Sequence, residues 1–576
     1  MAFLSRRIHR RLALISLCAA ALAIGACKDR GLEEDETPDD SESPTLAIET
    51  PERGSLIEGS GGGSVHVSGR ATDAGGDLDR VEINGVEAEL GADGSFSADV
   101  EVGNGITLLS TVVRDAAGNQ ATDTRAVLAG QFAPLSQPVD RAFGAWLSAS
   151  ALDAVGDTAA AFVTGQDLGA LIAPFNPVLT AGGSCLGARV NVEDINLSES
   201  RVTLVPRAGS LGLVVELDNL DVPLDVDYDV ACLGSDVGAS LTASRFTFEG
   251  ELSAQVTDGQ LSVEIISSTA HFDGFALDVG LVPSQIVNLI ASDLDQTIAD
   301  QLTARIDDLV VPQLDGALAG LAAGRTFELL GKQVTVAVSP RELTIEEGGA
   351  RIVLDATLGV DGADGGALPG YLVSPGPLPA LDSTDGFDLA IADDAANQAL
   401  AAFTAAGGID QNIAIGGGDY GQVGELFDRI HISALLPPVV TAGPDGLVLS
   451  VGDLRCDFEK DEAGGTVATT SIALSASARV TLIATESGAV RMAVSEPEVH
   501  ADFEEASGAN SLAEPEIEQL GSFAGTRVVG TLGSLIGEVP IPSVLGLSVT
   551  DLQVETAASE AGYLVATGRL LAAPPP

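Results

Sequence analysis

"DLAIADDAANQALAAFTAAGGI" occupies residues 388–409. It opens on a few alternating residues that read as a short strand, turns at Asp393-Asp394, and continues as an alanine-rich run closed by Gly407-Gly408. One of the two aspartates is expected to cap a helix, and the glycines to stop it. Ala396, Leu400 and Phe403 then share one face at helical spacing. The alanines let such a helix lie close against a sheet. A strand, a capped helix and a glycine stop mark the opening of a folding unit.

Long amphipathic strands follow: "LLPPVVTAGPDGLVLSVGDLRCDFEK", "TVATTSIALSASARVTLIAT" and "AVRMAVSEPEVHADFEE". "EPEIEQLGSFAGTRVVGTLGSLIGEVPIP" reads as a closing helix, and two strands end the chain. The same order occurs earlier. Residues 138–172 read as a helix with Phe143, Leu147, Leu152, Leu168 and Leu171 on its apolar side. A strand-rich stretch runs from 188 to 282, in which Leu224, Val226, Tyr228 and Val230 alternate with Asp225, Asp227 and Asp229. The segment beginning "VPSQIVNLIASDLDQTIADQL" reads as a long helix capped at Ser284, with Ile290, Leu294, Ile298, Leu302 and Ile306 spaced by four. Residues 327–360 are again strand-like, so one sheet is expected to join the halves.

This plan resembles the tubular lipid-binding superfamily that contains bactericidal permeability-increasing and lipopolysaccharide-binding proteins. "VEDINLSESRVTLVPRAGSLGLVVELDNLDV", "ISALLPPVV" and "VPIPSVLGLSVTDLQV" carry the likeness. It implies an α+β fold: an elongated, pseudo-two-fold double barrel of twisted antiparallel sheets, each wrapped on long helices, with a shared central sheet. One barrel with the central sheet would span 134–360 and the other 385–571. It also implies acyl chains held between helix and sheet, with Leu168, Leu171, Ile286, Leu289, Leu294, Leu400 and Phe403 as groove candidates. The cationic tip residues of some relatives have no counterpart here. Nor does the superfamily's usual disulfide match by position. Cys185 and Cys232, flanking one hairpin region, are expected to bond outside the cytoplasm, closing a loop worth roughly 4 kcal/mol. Cys456 is left as a buried free thiol; other connectivities stay open.

Residues 45–129 differ in character. "RVEINGVEAEL" turns at Asn84-Gly85, and "GADGSFSADVEV" and "DAAGN" supply further turns between short alternating strands. The segment resembles bacterial immunoglobulin-like modules, implying a β-sandwich that spaces or adheres. Asp73, Asp77 and Asp79 are weak calcium candidates, weighed against solvated turn acids.

The N-terminus fixes the expected compartment. Arg6, Arg7, Arg10 and Arg11 precede an apolar run ending in "IGAC", which resembles the lipobox of bacterial lipoproteins. Residues 1–27 are then a signal peptide and Cys27 an acylated anchor, implying an exported protein tethered to the membrane, outer membrane being expected. Residues 28–44, acidic and proline-bearing, form a disordered tether of at most roughly 50–60 Å.

Composition narrows function. With 83 acidic against 28 basic residues the net charge is -55, which repels phosphate backbones and disfavours nucleic acid. No P-loop, nucleophile elbow, H-E-x-x-H or C-x-x-C is present, so neither an enzyme nor a cofactor is expected. Trp146 is the only tryptophan, which argues against aromatic platforms for polysaccharide. The expected activity is lipid binding or transfer, with a phospholipid or fatty acyl ligand. The alternative is a structural or adhesive lipoprotein with solid barrels.

Overall fold

In the computed structural model, residues 41–290, 325–363, 369–504, 547–555 and 562–572 are described, apart from a few positions within these spans, together with isolated residues between them. Among the described residues 65% are strand and 12% helix. This overturns the expected α+β fold of sheets wrapped on long helices: the molecule is mostly β. The longest helix among the described residues is Ala149–Thr164, of 16 residues. The helix expected from 284 is described only over Ser284–Ile290. Its continuation and the expected closing helix lie outside the described residues.

The N-terminal segment is a sandwich. Strands Thr45–Thr50, Gly63–Thr72, Ser95–Val102 and Glu89–Leu90 form one sheet, and the second is built around Gly105–Asp115 and Gln120–Ala133. Val65, Val67, Ile83, Phe96, Leu109 and Val113 fill the space between them. At the Asn84-Gly85 turn both residues have positive φ, 48° and 79°, the geometry that a two-residue hairpin of this kind demands.

Seven strands form a central sheet in the order Arg325–Leu329, Lys332–Glu346, Gly349–Val360, Val139–Ser148, Phe387–Ala392, Tyr563–Ala572, Leu547–Glu555. Val139–Ser148 sits in its middle, antiparallel to neighbours on both sides. These residues were expected to be helix. Phe143 and Leu147, four apart, fit a helical stripe, but the stretch buries alternate residues: Ala142, Gly144, Trp146 and Ser148. Pairing along both edges overrides the local periodicity. Trp146 is therefore a strand residue; its Nε1 donates to the Ser383 carbonyl at 2.9 Å, and Arg351 lies over its ring.

Two further sheets curl away from this centre. The proximal one comprises Leu179–Gly183, Leu186–Val192, Glu199–Arg207, Ser210–Val230, Leu233–Thr257, Gln260–Asp273 and Ala276–Asp278. The distal one runs through Gln411–Ala414, Arg429–Ala434, Gly446–Glu462, Gly465–Ala484, Val490–Val494 and Glu538–Val539, with Val439–Gly443 and Glu498–Glu504 paired alongside. Two of the long strands are turned over by one device. In Ser210–Val230 the buried residues are Leu213, Val215 and Leu217, then Leu220, Val222, Leu224 and Val226. The parity changes at Asn219, whose φ is 53°. In Gly446–Glu462 the buried set changes from Leu447, Leu449 and Val451 to Leu454, Cys456 and Phe458 at Asp453, with φ 45°. Asn and Asp tolerate this left-handed conformation better than other non-glycine residues. One such residue turns a strand over, so both of its ends face the same core.

Candidate functional site

The proximal sheet curls around an apolar core: Val190, Leu224, Val226, Leu241, Phe246 and Phe248 are fully buried or nearly so. Each such side chain contributes about 1.5–3 kcal/mol over its exposed state. Helix Ser284–Ile290 closes one side, placing Ile286 and Ile290 on this core. Helix Ala149–Thr164 covers the Glu199–Arg207 side, where Gly156 permits close approach: a Cβ there would lie 2.3 Å from the Val202 carbonyl oxygen. Beyond the core the apolar lining continues into half-buried Val263, Ile265, Phe272, Phe275 and Leu277. Phe272 bridges Phe246 and Phe275, with centroids 5.0 and 5.9 Å away.

The groove candidates divide between two cores. Ile286 belongs to the proximal core, and Leu168 is half-buried at the start of helix Leu168–Ile172, whose N-cap Asp167 accepts from the Ala170 amide. Leu171 lies on that short helix and Leu289 on Ser284–Ile290; Leu294 lies outside the described residues. Phe403 is buried in the distal core and Leu400 packs against it. The distal core also takes in Cys456, a free thiol that burial and then Asp457 push up to about 12.

At the far end of the proximal sheet, Cys185 and Cys232 are disulfide-bonded, closing a separation of 47 residues. The bond staples the turn between Leu179–Gly183 and Leu186–Val192 to that between Ser210–Val230 and Leu233–Thr257. Beside it Leu186 is 48% and Leu233 76% exposed. Two stapled hairpins thus hold out an apolar tip.

The helix within residues 388–409 runs Asp393–Ala405, and its polar residues do something the sequence did not suggest. Neither aspartate caps it: the N-cap is Ala392, without a side-chain bond. Asp393 and Asp394 occupy the first turn instead, 1% and 8% exposed. Asp394 Oδ1 accepts the Ser374 amide at 2.6 Å, and the Asp393 amide donates to the Gly562 carbonyl. Asn397 pairs with both backbone groups of Val440, and Gln398 Oε1 accepts the Leu358 amide while Nε2 donates to the Leu135 and Gln137 carbonyls. Three side chains, with the Asp393 amide, thereby tie together the distal sheet, the central sheet and the linker from the sandwich. The C-terminal end closes as a Schellman turn: Gly408 donates to Phe403 and Gly407, at φ 67°, to Thr404.

The sandwich is docked, not strung out. Ala126, Leu128, Leu372, Leu436 and Val439 form a buried apolar contact joining it to the distal sheet, and Tyr371–Val373 pairs with the end of Gln120–Ala133. Arg53, 10% exposed, donates to the Thr124 carbonyl and to Asp453 at 3.1 Å, and forms an ion pair with Asp502. Asp453 also accepts the amides of Ala126 and Gly54. Burial pushes the Asp453 and Asp502 carboxyls up, opposed by Arg53 at both, by these amides at Asp453 and by the Thr124 amide at Asp502. The residue that turns the distal strand over is thus also the one that receives the sandwich. No local signal links positions 53 and 453.

Of the calcium candidates, Asp73 and Asp77 meet and Asp79 stands apart as an exposed residue. The Asp77 carboxyl is raised by its hydrogen bond to Asp73, then by burial and by the Asp73 charge. Among the described residues no group of three His, Cys, Asp or Glu side chains is placed to hold a metal ion. His66 pairs with Asp99, both exposed, and half-buried His431 with exposed Asn412. Cys27 lies outside the described residues.

Comparison with known proteins gives partial likenesses. A family described as "Glucodextranase, domain B" matches residues 44–131, the sandwich. No curated protein matches. Among solved structures, lipopolysaccharide binding protein aligns over 75% of this chain and 100% of its own, with 13% identity and a TM-score of 0.45. P47 from Clostridium botulinum A2 aligns over 75% and 98%, with 7% identity and a TM-score of 0.23. The fibronectin(III)-like modules of Clostridium thermocellum CbhA align over 34% and 92%, with 14% identity and a TM-score of 0.13. The likeness to lipopolysaccharide binding protein is therefore distant and partial, and at these TM-scores none of the three decides fold or function.

Proposed function

We propose that this chain is a non-enzymatic lipid-binding protein that holds acyl chains against the inner face of its curled proximal sheet. The observation that carries this reading is that face's continuous apolar surface, from buried Leu224, Phe246 and Ile286 to half-buried Val263, Ile265 and Phe272. An acyl chain needs a dry aliphatic surface and no designated polar reader. Transfer of sixteen carbons from water gains on the order of 12 kcal/mol gross. The exposed Leu186 and Leu233 supply an apolar place for a ligand to arrive.

Export and acylation at Cys27 belong to the same proposal, resting on the N-terminal sequence. Among the described residues no helix is long and apolar enough to cross a membrane. Incorporation of labelled palmitate into the wild type but not into Cys27→Ser tests the anchor.

Native mass spectrometry of protein purified without detergent tests the ligand. Co-purified phospholipid or fatty acid supports the reading; an empty protein that also takes up no fluorescent phospholipid refutes it and favours solid barrels.

A further inference from the structure

The first turn of Asp393–Ala405 holds an unusual pair. Asp393 is 1% exposed and its Oδ2 is buried without a hydrogen-bond partner; the neighbouring carboxyl of Asp394 is 8% exposed. Gly562 closes over them, since a Cβ there would stand 2.9 and 3.0 Å from the two Asp393 oxygens. Two adjacent buried carboxylates cannot both ionise without large cost, and a proton on one supplies the missing donor.

The groups facing the pair do not neutralise it. Tyr371 comes from the docking strand and Tyr563 from the last strand, and burial pushes each up to about 12. Asp140 acts on both tyrosines and Arg141 on Tyr563, from Val139–Ser148. Asp355 of Gly349–Val360 is engaged by Arg341, and Asp388 of Phe387–Ala392 by Ser383. Val439–Gly443 carries no titratable residue. Of the two cations here, Arg341 is taken up by Asp355 and Asp140, and Arg141 has Asp140 beside it in the chain.

The pair is also wired to the sandwich. Ser374, whose amide Asp394 accepts, receives Asn104 of the sandwich on its hydroxyl at 2.6 Å. Ser374 directly follows Tyr371–Val373, the strand that pairs with residues 131–133 of the sandwich.

We infer that Asp393 and Asp394 share one proton and that this proton holds the Ser374 link closed, making docking of the sandwich sensitive to alkaline pH. Burial, with the Asp394 charge second, raises Asp393 to about 8; burial raises Asp394 to about 6 against the opposing Ser374 amide. Loss of the shared proton leaves two buried anions. The helix N-terminus offsets them only in part, so the pair turns outward and releases Ser374.

Hydrogen exchange of the full chain between pH 6 and 9.5, corrected for intrinsic rates, tests this. In the wild type, exchange at Ser374 and residues 131–133 should accelerate by up to about tenfold per pH unit as pH rises toward the pair's titration and level off above it, while the proximal sheet stays protected. Asp393→Asn should abolish the acceleration. Independently of any variant, infrared spectra of the wild type at pH 7 should contain the carbonyl band of a protonated carboxylic acid that disappears on alkaline titration. Asp453→Asn should retain that band, and a folded Asp393→Asn should lose it. Absence of the band at pH 7, or corrected exchange that is flat to pH 9.5, overturns the proposal, as does acceleration that persists unchanged in Asp393→Asn.

Discussion

Replacing Arg53 with methionine keeps most of the aliphatic stem and removes the charge that receives the sandwich onto the distal sheet. Arg53 is only 10% exposed and Asp453 1%, whereas Asp502 retains 20% exposure. Removing one partner of a buried pair costs about 3–5 kcal/mol, because the remaining charge is stranded. Asp453 keeps two amide donors and Asp502 some water, so the lower end, about 3 kcal/mol, is expected. The apolar contact of Leu128, Leu372, Leu436 and Val439 survives the change, so the interface should loosen without separating. Native-state hydrogen exchange at Ala126, whose amide donates to Asp453 at 2.8 Å, reads this opening directly. About 3 kcal/mol corresponds to roughly a hundredfold faster exchange there at pH 8. Without Arg53 the folded-state pKa of both carboxyls rises further above the unfolded value. Their contribution is then fully present below the unfolded pKa and is lost as pH rises, so the penalty at pH 5 must be smaller than at pH 8. Less than about 1 kcal/mol at pH 8, or a penalty as large at pH 5, would refute a docking role for this ion cluster.

Gly156→Ala should destabilise the protein by about 1–3 kcal/mol in denaturant titration despite alanine's better helix propensity, because its Cβ meets the Val202 carbonyl; a stabilised variant would mean the helix has room to spare. Replacing Cys185 and Cys232 together with serine should cost about 4 kcal/mol, and hydrogen exchange should place the loss in the proximal sheet, not the distal one. Leu186→Asp with Leu233→Asp alters exposed positions, so stability should stay within about 0.5 kcal/mol while uptake of fluorescent phospholipid falls; unchanged uptake would remove the tip from the ligand's route.

What could be read from sequence follows from which interactions are local. The Asn84-Gly85 hairpin and the Gly407-Gly408 stop are written in backbone preferences of two residues, and both occur in the structure. The alternation from Leu224 to Val226 was visible because one face is wet. The opposite parity of Leu213, Val215 and Leu217 was not connected to it, since a left-handed Asn219 looks in sequence like any solvated polar residue. Val139–Ser148 was read as helix because Phe143 and Leu147 satisfy both periods, and only the two flanking strands decide between them. The contacts of Arg53 with Asp453, and of Asn104 with Ser374, span hundreds of residues and leave no local trace.

Residues 393–398 carry the instructive failure. Aspartate before an alanine helix is the best capping signal available, yet both aspartates lie inside the first turn. Asp393, Asp394, Asn397 and Gln398 fall within roughly 140° of the helix circumference, which in sequence looks like the ordinary wet side of a helix lying on one sheet, yet all four are buried. A helix packed between the central sheet, through Ala395 and Ala401, and the distal core, through Ala402 and Phe403, has no wet side to spare. Asp394, Asn397 and Gln398 then find backbone partners on the elements that surround it, and each bond fixes the position of one such element. The punctuation of this stretch is therefore structural in purpose: it sets where the sandwich, the central sheet and the distal sheet meet.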